Sequence, residues 1–354
     1  MEEIIIVGKM FDRDKTNGPT AVMFSMREAY ARLGINCRCI VLNETMGRSK
    51  YIRGLLSIIR MKNKAINVHI NGFLSALIVF LISKLNKQNT YWLTAHGIFA
   101  EQIKYYQAQG PVGIYCFIEK IVYSHFPNII CVSKLCKDKL FELYKPKGNV
   151  YVVENAIDKI DSTSVQRTNV GKSVIFLGGL QELKGWDRLV DIMKILKVED
   201  NEIVLNIYGK STDEAREEFQ KLISDADLLD NVRFYGMLKT IDELEKAYKN
   251  SDYHISLSKF DTFNIAILEA INFGCLNITN NKSGAASLIE SDRTGFLISD
   301  DCDNREVADQ IVSIIKNMST YKYNLMANQA KASIKEMTWD IVAKKYYRLF
   351  GGKR

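Results

Sequence analysis

The 354-residue sequence lacks the features that are typical of membrane-spanning proteins and of disulfide-rich proteins. Its longest apolar block, GFLSALIVFLISKL at 72–85, has 14 residues, fewer than the roughly 20 that span a bilayer, and we expect a buried helix there. The seven cysteines include no C-x-x-C pair, which argues against a disulfide framework and a cysteine-rich zinc site. The opening residues MEEIIIVG contain no basic region followed by a long apolar one, so we expect no secretory leader and a cytoplasmic protein.

Positive charge is concentrated in the first half of the chain. Residues 1–150 contain 21 Lys and Arg against 10 Asp and Glu, whereas the remaining residues contain 27 against 31. A basic half of this kind suits nucleic acid, an anionic membrane surface or a phosphorylated substrate. No helix-turn-helix, zinc-finger or aromatic RNA-binding signature is present, so we expect no nucleic-acid partner.

Short apolar runs typical of strands alternate with helical patterns along the whole chain. The first series begins at EIIIVG and a second begins afresh at SVIFLGGL. This alternation predicts parallel sheets that are covered by helices on both faces. The predicted fold class is therefore α/β, with two doubly wound Rossmann-like domains facing a cleft. We place the first domain at 1–165 and the second at 170–337, with a helix at 338–354 crossing back to the first and a polar linker at 161–172.

The stretch FDTFNIAILEAINFGC places Asp261 and Glu269 eight residues apart around the start of a predicted helix at 264–274. At 1.5 Å per residue the two carboxylates are separated by at most about 12 Å along the axis. The amide groups of Phe263, Asn264 and Ile265 lie at the helix N-terminus, which suits a phosphate. The alternative is that Asp261 only caps the helix and Glu269 is a surface residue. The apolar neighbours of Glu269 favour a ligand, because an unpaired carboxylate among them would be costly.

These residues carry a resemblance to a known family. The segment SKFDTFNIAILEAINFGCLNITNNKSGAASLIESDRTGFLI resembles the donor-binding signature of retaining glycosyltransferases of family 4, which have the GT-B fold. GGLQELKGWDRLV resembles the family's phosphate-binding segment and places Lys184 in it. TAHG matches the histidine of the N-terminal domain, which gives His96, and Asn17-Gly18-Pro19 stands for the glycine-rich first loop.

The resemblance implies a role for each matched residue. Glu269 would bind the ribose hydroxyls of a nucleotide, Asp261 the transferred sugar, and Lys184 the diphosphate. Gly18 would let the first loop approach the diphosphate, and His96 would reach the sugar from the other domain. The catalytic residues implied are His96, Lys184 and Asp261. The donor-binding residues implied are Gly18, Lys184, Asp261, Phe263, Asn264, Ile265 and Glu269. The alternatives are a core histidine at 96 and a solvated lysine at 184.

Four positions depart from the family pattern. The first acid is Asp261 where Glu is commoner, and Asn264 replaces a glycine. Gly179 stands where the family has an arginine, and Ser287 where it has a glutamate. Gly179 removes one phosphate-binding cation, and we expect an arginine placed there to restore part of that charge.

We expect neither a metal ion nor a cofactor, with a UDP-sugar or GDP-sugar donor as substrate. Asp12-Arg13-Asp14 is formally a D-x-D metal motif, but it has no evident partner cluster. The segment MGRSKYIRGLLSIIRMKNK at 46–64 mixes basic and apolar residues. It predicts either a helix on an anionic membrane surface or one packed on the sheet with solvated basic ends.

The sequence thus predicts a retaining glycosyltransferase that moves a hexose from a nucleotide sugar to a growing, lipid-linked glycan. Its partners would be the nucleotide sugar, the glycan acceptor and an anionic membrane surface, with peripheral attachment at the inner face of the membrane. Two alternatives stay open. One is another GT-B enzyme such as a nucleotide-sugar epimerase. The other is a non-catalytic glycosyltransferase-like partner subunit, which the departures at Gly179 and Ser287 suggest.

Overall fold

The computed structural model describes residues 3–9, 19–42, 48–69, 73–105 and 110–352. Over these residues the chain forms two compact units. The first unit runs to Lys159 and takes in the chain again from Met337, and the second is Ile160–Glu336. Each unit is built around its own sheet.

The strands and helices alternate in the order that the sequence patterns predict. The strands are β1 (Glu3–Lys9), β2 (Cys37–Leu42), β3 (Lys64–His69), β4 (Thr90–Ala95), β5 (Asn128–Cys131), β6 (Asn149–Val152), β7 (Ser173–Phe176), β8 (Val204–Tyr208), β9 (Val232–Gly236), β10 (Tyr253–Ser256), β11 (Leu276–Asn280) and β12 (Gly295–Ile298). The helices are α1 (Pro19–Arg32), α2 (Arg48–Ser57), α3 (Phe73–Leu85), α4 (Phe99–Gln102), α5 (Val112–His125), α6 (Lys134–Tyr144), α7 (Trp186–Glu199), α8 (Asp213–Asp225), α9 (Ile241–Lys249), α10 (Ile265–Asn272), α11 (Asn304–Lys316), α12 (Thr320–Ser333) and α13 (Trp339–Leu349).

The first sheet has six parallel strands in the order β2-β1-β3-β4-β5-β6. Its register places Ile4 opposite Cys37 on β2 and Ala65 on β3. β1 reads as a continuous apolar run because helices cover both faces of the sheet, and Ile4 to Val7 are fully buried. The α/β prediction is confirmed for this unit.

The last helix, α13, packs against α1 within the first unit. Arg32 near the end of α1 makes an ion pair of 2.7 Å with Asp340 in the first turn of α13. Farther along, the ring of Phe350 lies 5.0 Å from that of Trp92 on β4. The chain therefore ends in the unit where it began.

The second sheet also has six parallel strands, in the order β12-β11-β10-β7-β8-β9. The chain moves outward from β7 to β9, then returns to place β10 on the other side of β7. The carboxyl ends of β7 and β10 therefore meet where the strand order reverses. In open α/β sheets, this is where ligands bind.

The segment predicted as a linker has no regular secondary structure, but it is held to the second unit. Two asparagines one turn apart on α12 clamp its backbone. Asn328 Oδ1 accepts from the amide of Val165 at 2.8 Å, and Asn324 Oδ1 accepts from that of Arg167 at 2.9 Å. Residues 160–165, which the sequence assigned to the first domain, thus belong with the second unit.

Residues 73–85 of the apolar block form α3, but the expectation of a buried helix is wrong. Val79 is fully buried, whereas Leu74, Leu81 and Leu85 are exposed by 65%, 53% and 76%. Only one side of α3 faces the sheet. In the described part of the chain, no helix is both long and apolar enough to cross a membrane.

Candidate active site

The turn between β10 and α10 is anchored to the turn that follows β11. The amide of Asp261 donates to the carbonyl of Lys282 at 2.8 Å, and the carbonyl of Asp261 accepts from the amide of Gly284 at 3.0 Å. The amide of Ala285 donates to the carbonyl of Phe263 at 2.6 Å. These bonds fix the Asp261 backbone at the carboxyl edge of the second sheet.

The carboxylate of Asp261 has two partners. One oxygen accepts from the amide of Phe263 at 3.1 Å, and the other forms an ion pair with the ammonium group of Lys184. The structure therefore brings together two predicted site residues that are 77 positions apart. The amide of Phe263, expected above to suit a phosphate, already donates to Asp261 in this structure.

Lys184 reaches Asp261 because its turn lies against the segment after β10. The 3-10 turn Glu182–Lys184 ends at Gly185, whose φ is +82°. A Cβ at Gly185 would lie 2.5 Å from the carbonyl oxygen of Leu257, and the amide of Lys259 donates to the carbonyl of Leu183 at 2.9 Å. Glycine permits both the left-handed backbone and the close approach.

Asn264 begins α10 in a left-handed conformation, with φ +68°. Its side-chain amide donates to the hydroxyl of Ser256 at the end of β10, at 2.8 Å. Asparagine tolerates this conformation better than most residues, which explains how it replaces the glycine of the family pattern. The amides of Asn264 and Ile265 open the helix, where no preceding turn supplies carbonyl acceptors.

Glu269 lies one turn into α10 and is only partly exposed. Burial raises the pKa of its carboxyl group to about 7, and the hydrogen bond with Tyr248 acts in the opposite direction. The Tyr248 hydroxyl lies 3.2 Å from Glu269 Oε2 and 3.0 Å from the carbonyl oxygen of Ala266. The sequence did not indicate Tyr248, because its only local signal is an apolar position on α9.

Gly179 is explained by backbone geometry. Its φ is +61°, and a Cβ would lie 2.1 Å from the carbonyl oxygen of Lys210, in the loop between β8 and α8. The expectation that an arginine at 179 would restore a phosphate contact is therefore wrong, because no side chain fits there. Ser287 is exposed, and its hydroxyl donates to the carbonyl of Gly284 at 2.8 Å.

In the first unit, His96 belongs to a buried chain of polar side chains at the carboxyl ends of β3 and β4. Thr94 Oγ1 lies 3.1 Å from Asn67 Oδ1, Asn67 Nδ2 lies 3.0 Å from His69 Nε2, and His69 Nδ1 lies 2.8 Å from His96 Nε2. If Asn67 donates to His69, then His69 donates to His96, and His96 carries its proton on Nδ1. Burial lowers the pKa of His96 to about 3, so the ring is neutral.

A buried carboxylate that the sequence did not single out binds the first turn of α4, the short helix after His96. Glu119 on α5 accepts from the amides of Phe99 and Ala100 at 2.6 and 2.9 Å, and from the hydroxyl of Tyr144 at 2.5 Å. Desolvation raises the pKa of Glu119. A lone glutamate in the apolar helix VGIYCFIEKIVYSH was the available signal.

Gly18 and the Asp12-Arg13-Asp14 motif lie outside the described residues. Within the described residues, no group of three or more His, Cys, Asp or Glu side chains could hold a metal ion.

Two family models match the chain, and each match lies within one unit. "Glycosyltransferase Family 4" matches residues 46–159, and "Glycosyl transferases group 1" matches residues 160–333. With the two Rossmann-like sheets described above, these matches show that the chain belongs to the GT-B glycosyltransferases of the family 4 type.

Three curated relatives are similar over about 60% of this chain. They are an uncharacterized 41.2 kDa protein in the cps region of Klebsiella pneumoniae (24% identity over 60% of this chain), a poly(glycerol-phosphate) alpha-glucosyltransferase of Bacillus subtilis (25% over 57%) and a GDP-mannose:cellobiosyl-diphosphopolyprenol alpha-mannosyltransferase of Xanthomonas oryzae (20% over 62%). The alignments cover 57%, 30% and 57% of these relatives.

Two solved structures share the fold over almost the whole chain. A sucrose-phosphate synthase from Thermosynechococcus elongatus has a TM-score of 0.76 at 16% identity, covering 99% of this chain and 98% of the other. HepE from Anabaena, in complex with UDP, has a TM-score of 0.73 at 14% identity, covering 99% of both chains. At these identities the likeness concerns the fold.

Proposed function

We propose that this protein is a retaining glycosyltransferase that moves a hexose from a nucleotide sugar to a growing, lipid-linked glycan of the cell surface. One observation carries the proposal. Lys184, Asp261 and the N-terminus of α10 meet at the carboxyl edge of the second sheet, where the strand order reverses. Glu269 lies on the same helix with a carboxyl pKa of about 7. A cation, helix amides and two carboxylates match the parts of a nucleotide sugar.

The proposed roles follow from the chemistry of each group. Lys184 binds the diphosphate and stabilises the negative charge that develops on the leaving phosphate. The amides of Asn264 and Ile265 contribute at the helix N-terminus. Asp261 accepts hydrogen bonds from hydroxyl groups of the transferred sugar, and Glu269 accepts them from the ribose hydroxyls. Because Lys184 pairs with Asp261 in this structure, donor binding requires Lys184 to exchange that carboxylate for phosphate.

His96 is proposed to act as a neutral hydrogen-bond donor to the transferred sugar. Burial disfavours its charged form, and the pKa of about 3 excludes proton transfer from an imidazolium near neutral pH. With Nε2 accepting from His69 at 2.8 Å, His96 carries its ring proton on Nδ1. Asn67 and His69 are positioning residues in this arrangement.

The activities for which two of the relatives are named support the proposed substrate classes. The Xanthomonas protein is named for a GDP-mannose donor and a diphosphopolyprenol-linked acceptor, and the Bacillus protein for glucosylation of poly(glycerol phosphate). The GDP-mannose in the Xanthomonas name and the UDP in the HepE complex support a UDP-sugar or GDP-sugar donor. We further propose that the reaction uses no metal ion and no cofactor. We also propose that the chain meets its lipid-linked acceptor at an anionic membrane surface.

Donor turnover tests this function. Purified protein is incubated with UDP-sugars and GDP-sugars, with and without EDTA, and nucleotide release is measured. We expect release that survives EDTA and that Asp261→Asn reduces strongly, whereas Asp191→Asn, at an exposed carboxylate on α7, leaves it unchanged.

The product distinguishes the alternatives. NMR of the transferred sugar should show retention at the anomeric carbon, and an inverted product would overturn the mechanism. Conversion of the donor to an epimer would indicate an epimerase instead. Donor binding without hydrolysis or transfer would indicate a non-catalytic partner subunit.

A further inference from the structure

The first unit has an exposed apolar surface that the proposed chemistry does not use. Nine of the seventeen large apolar side chains exposed in the described residues lie on three of its helical segments. These segments are α2 with the 3-10 turn Ile58–Arg60 that continues it, α3, and α5. Single exposed apolar residues are ordinary, but a concentration of this kind marks an interaction site.

α3 forms the middle of this surface. Leu74, Leu81 and Leu85 are separated by seven and four residues, so they lie on one side of the helix. All three are more than half exposed, whereas Val79 and Ile82 on the other side are buried. α3 therefore presents a continuous leucine stripe away from the sheet.

The neighbouring segments extend the stripe on both sides. α3 contacts both α2 and α5. On the α2 side, Ile52, Leu56 and Ile59 follow at spacings of four and three residues and are exposed by 48%, 51% and 42%. On α5, Ile114 and Phe117 are exposed by 58% and 64%. We call the outward faces of these three segments the apolar face.

The exposed charges on the three segments are of one sign. From Arg48 to Ala100 the sequence contains no Asp or Glu, and the single acid of α5, Glu119, is buried and hydrogen-bonded. The exposed cations of the three segments include Lys50, Arg53 and Arg60 beside the isoleucines. The surface thus combines apolar side chains with uncompensated positive charge.

We propose that the apolar face is a docking surface for an anionic lipid bilayer. The leucine, isoleucine and phenylalanine side chains enter the boundary between head groups and acyl chains, and the surrounding cations bind the head groups. A second copy of this chain fits less well, because pairing the face with itself would bring like charges together. The need for such a surface rests on the proposed lipid-linked acceptor, but bilayer binding can be measured without any transfer reaction.

Insertion is tested with a tryptophan placed at the centre of the face. The three native tryptophans are buried, with exposures of 5% or less, so Leu81→Trp reports its own surroundings. We expect its emission to shift to the blue on vesicles of phosphatidylglycerol and phosphatidylcholine, but not on phosphatidylcholine alone. Val198→Trp, at an 83% exposed site on α7 of the second unit, should show no shift on either.

Binding is tested by vesicle sedimentation. The double variant Leu81→Gln/Phe117→Gln should lower the bound fraction at least about tenfold, whereas Val198→Gln should leave it unchanged. Nucleotide affinity should be the same in all three proteins, which separates loss of docking from misfolding. A wild-type protein that turns over a nucleotide sugar but does not bind anionic vesicles at low salt would overturn the docking surface alone. A blue shift of Leu81→Trp that grows with protein concentration in the absence of vesicles would overturn the bilayer proposal and indicate self-association through the apolar face.

Discussion

Lys184 and Asp261 form the pair on which the proposed chemistry depends. In this structure each neutralises the other, and the side chains are 27% and 14% exposed. A partly buried lysine held close to a carboxylate keeps its charge positioned for an incoming phosphate. Asp261 is not the cap of α10, because the N-cap position is Asn264 and the amide that donates to Asp261 is that of Phe263, before the helix begins.

Replacing Lys184 should damage turnover more than binding. We expect Lys184→Ala to lower turnover at least about 100-fold, on the order of 3 kcal/mol, because charge on the leaving phosphate is greatest in the transition state. Nucleotide affinity should fall by a smaller factor, as measured by calorimetry.

Lys172→Ala is the matched control for this variant. Lys172 also forms an ion pair in the second unit, with Asp200 at 2.7 Å, but it precedes β7 at the amino end of the sheet. It should leave turnover unchanged. Turnover of Lys184→Ala within a few-fold of the wild type would show that another cation binds the diphosphate.

Glu269 should make donor binding depend on pH. Its pKa of about 7 lies above the ordinary value near 4.3, so the folded protein keeps a proton that the unfolded chain releases. The stability that this proton contributes is present below the ordinary pKa and is lost as pH rises through about 7. Ribose hydroxyls donate to the ionised carboxylate, so donor affinity should rise by up to about tenfold from pH 6 to pH 8.

A nucleotide sugar is the right probe for this measurement, because its diphosphate is fully ionised over that range. Glu269→Gln cannot titrate and should bind the donor with a flat profile. If the wild type and Glu269→Gln show the same pH profile, the carboxylate of Glu269 does not contact the donor.

At the scale of elements, comparing two glycines distinguishes the strain of a left-handed backbone from a steric clash. Gly179 and Gly236 both have positive φ, +61° and +77°. A Cβ at Gly179 would lie 2.1 Å from a backbone oxygen, whereas a Cβ at Gly236 would meet nothing within 4 Å. An alanine in the left-handed conformation is strained at both positions, but only at Gly179 does its side chain also collide with a neighbouring backbone segment.

The two alanine variants should therefore differ in stability. We expect Gly236→Ala to lower the free energy of unfolding by about 1 kcal/mol, and Gly179→Ala to lower it by about 2 kcal/mol more. Urea denaturation measures both. Equal losses would mean that the segment around Lys210 moves aside, and that an arginine could fit at 179 after all.

The environment of α3 could not be predicted from its sequence. The only polar positions in the 14-residue apolar block are Ser75, Ser83 and Lys84, too few to indicate which side is buried. The burial of one side and the exposure of Leu74, Leu81 and Leu85 are decided by the strands β3 and β4 beneath α3 and by the flanking helices α2 and α5. An apolar run without periodicity predicts a helix, but it does not predict its environment.

At the scale of the whole molecule, the proposed donor groups other than His96 and Gly18 lie in the second unit. A nucleotide that binds there should stabilise the protein. At 100 times its dissociation constant it should contribute about 2.7 kcal/mol, which thermal denaturation detects as a higher melting temperature. Glu269→Ala should lose most of this gain while keeping the melting temperature of the nucleotide-free protein. A screen of UDP, GDP and other nucleotides in which none raises the melting temperature would contradict the proposed donor class.

The sequence by itself determined the α/β class, the order of strands and helices, and the position of the Asp261 turn. These are local properties: apolar runs of four to seven residues, helical periods, and a helix start after a strand. The family resemblance added Lys184 and His96, because its motifs occur in the same order along the chain.

Only the tertiary structure decided which of these residues meet. The Lys184–Asp261 ion pair joins residues 77 positions apart, and the bond from His69 to His96 joins the end of β3 to the residue that follows β4. The neutral state of His96 and the raised pKa of Glu269 come from burial, which depends on every element packed around them. The same holds for Gly179, where the backbone of Lys210 in the loop after β8 leaves no room for a side chain. Local sequence encodes conformation, whereas contacts, burial and charge pairing arise only when distant segments pack together.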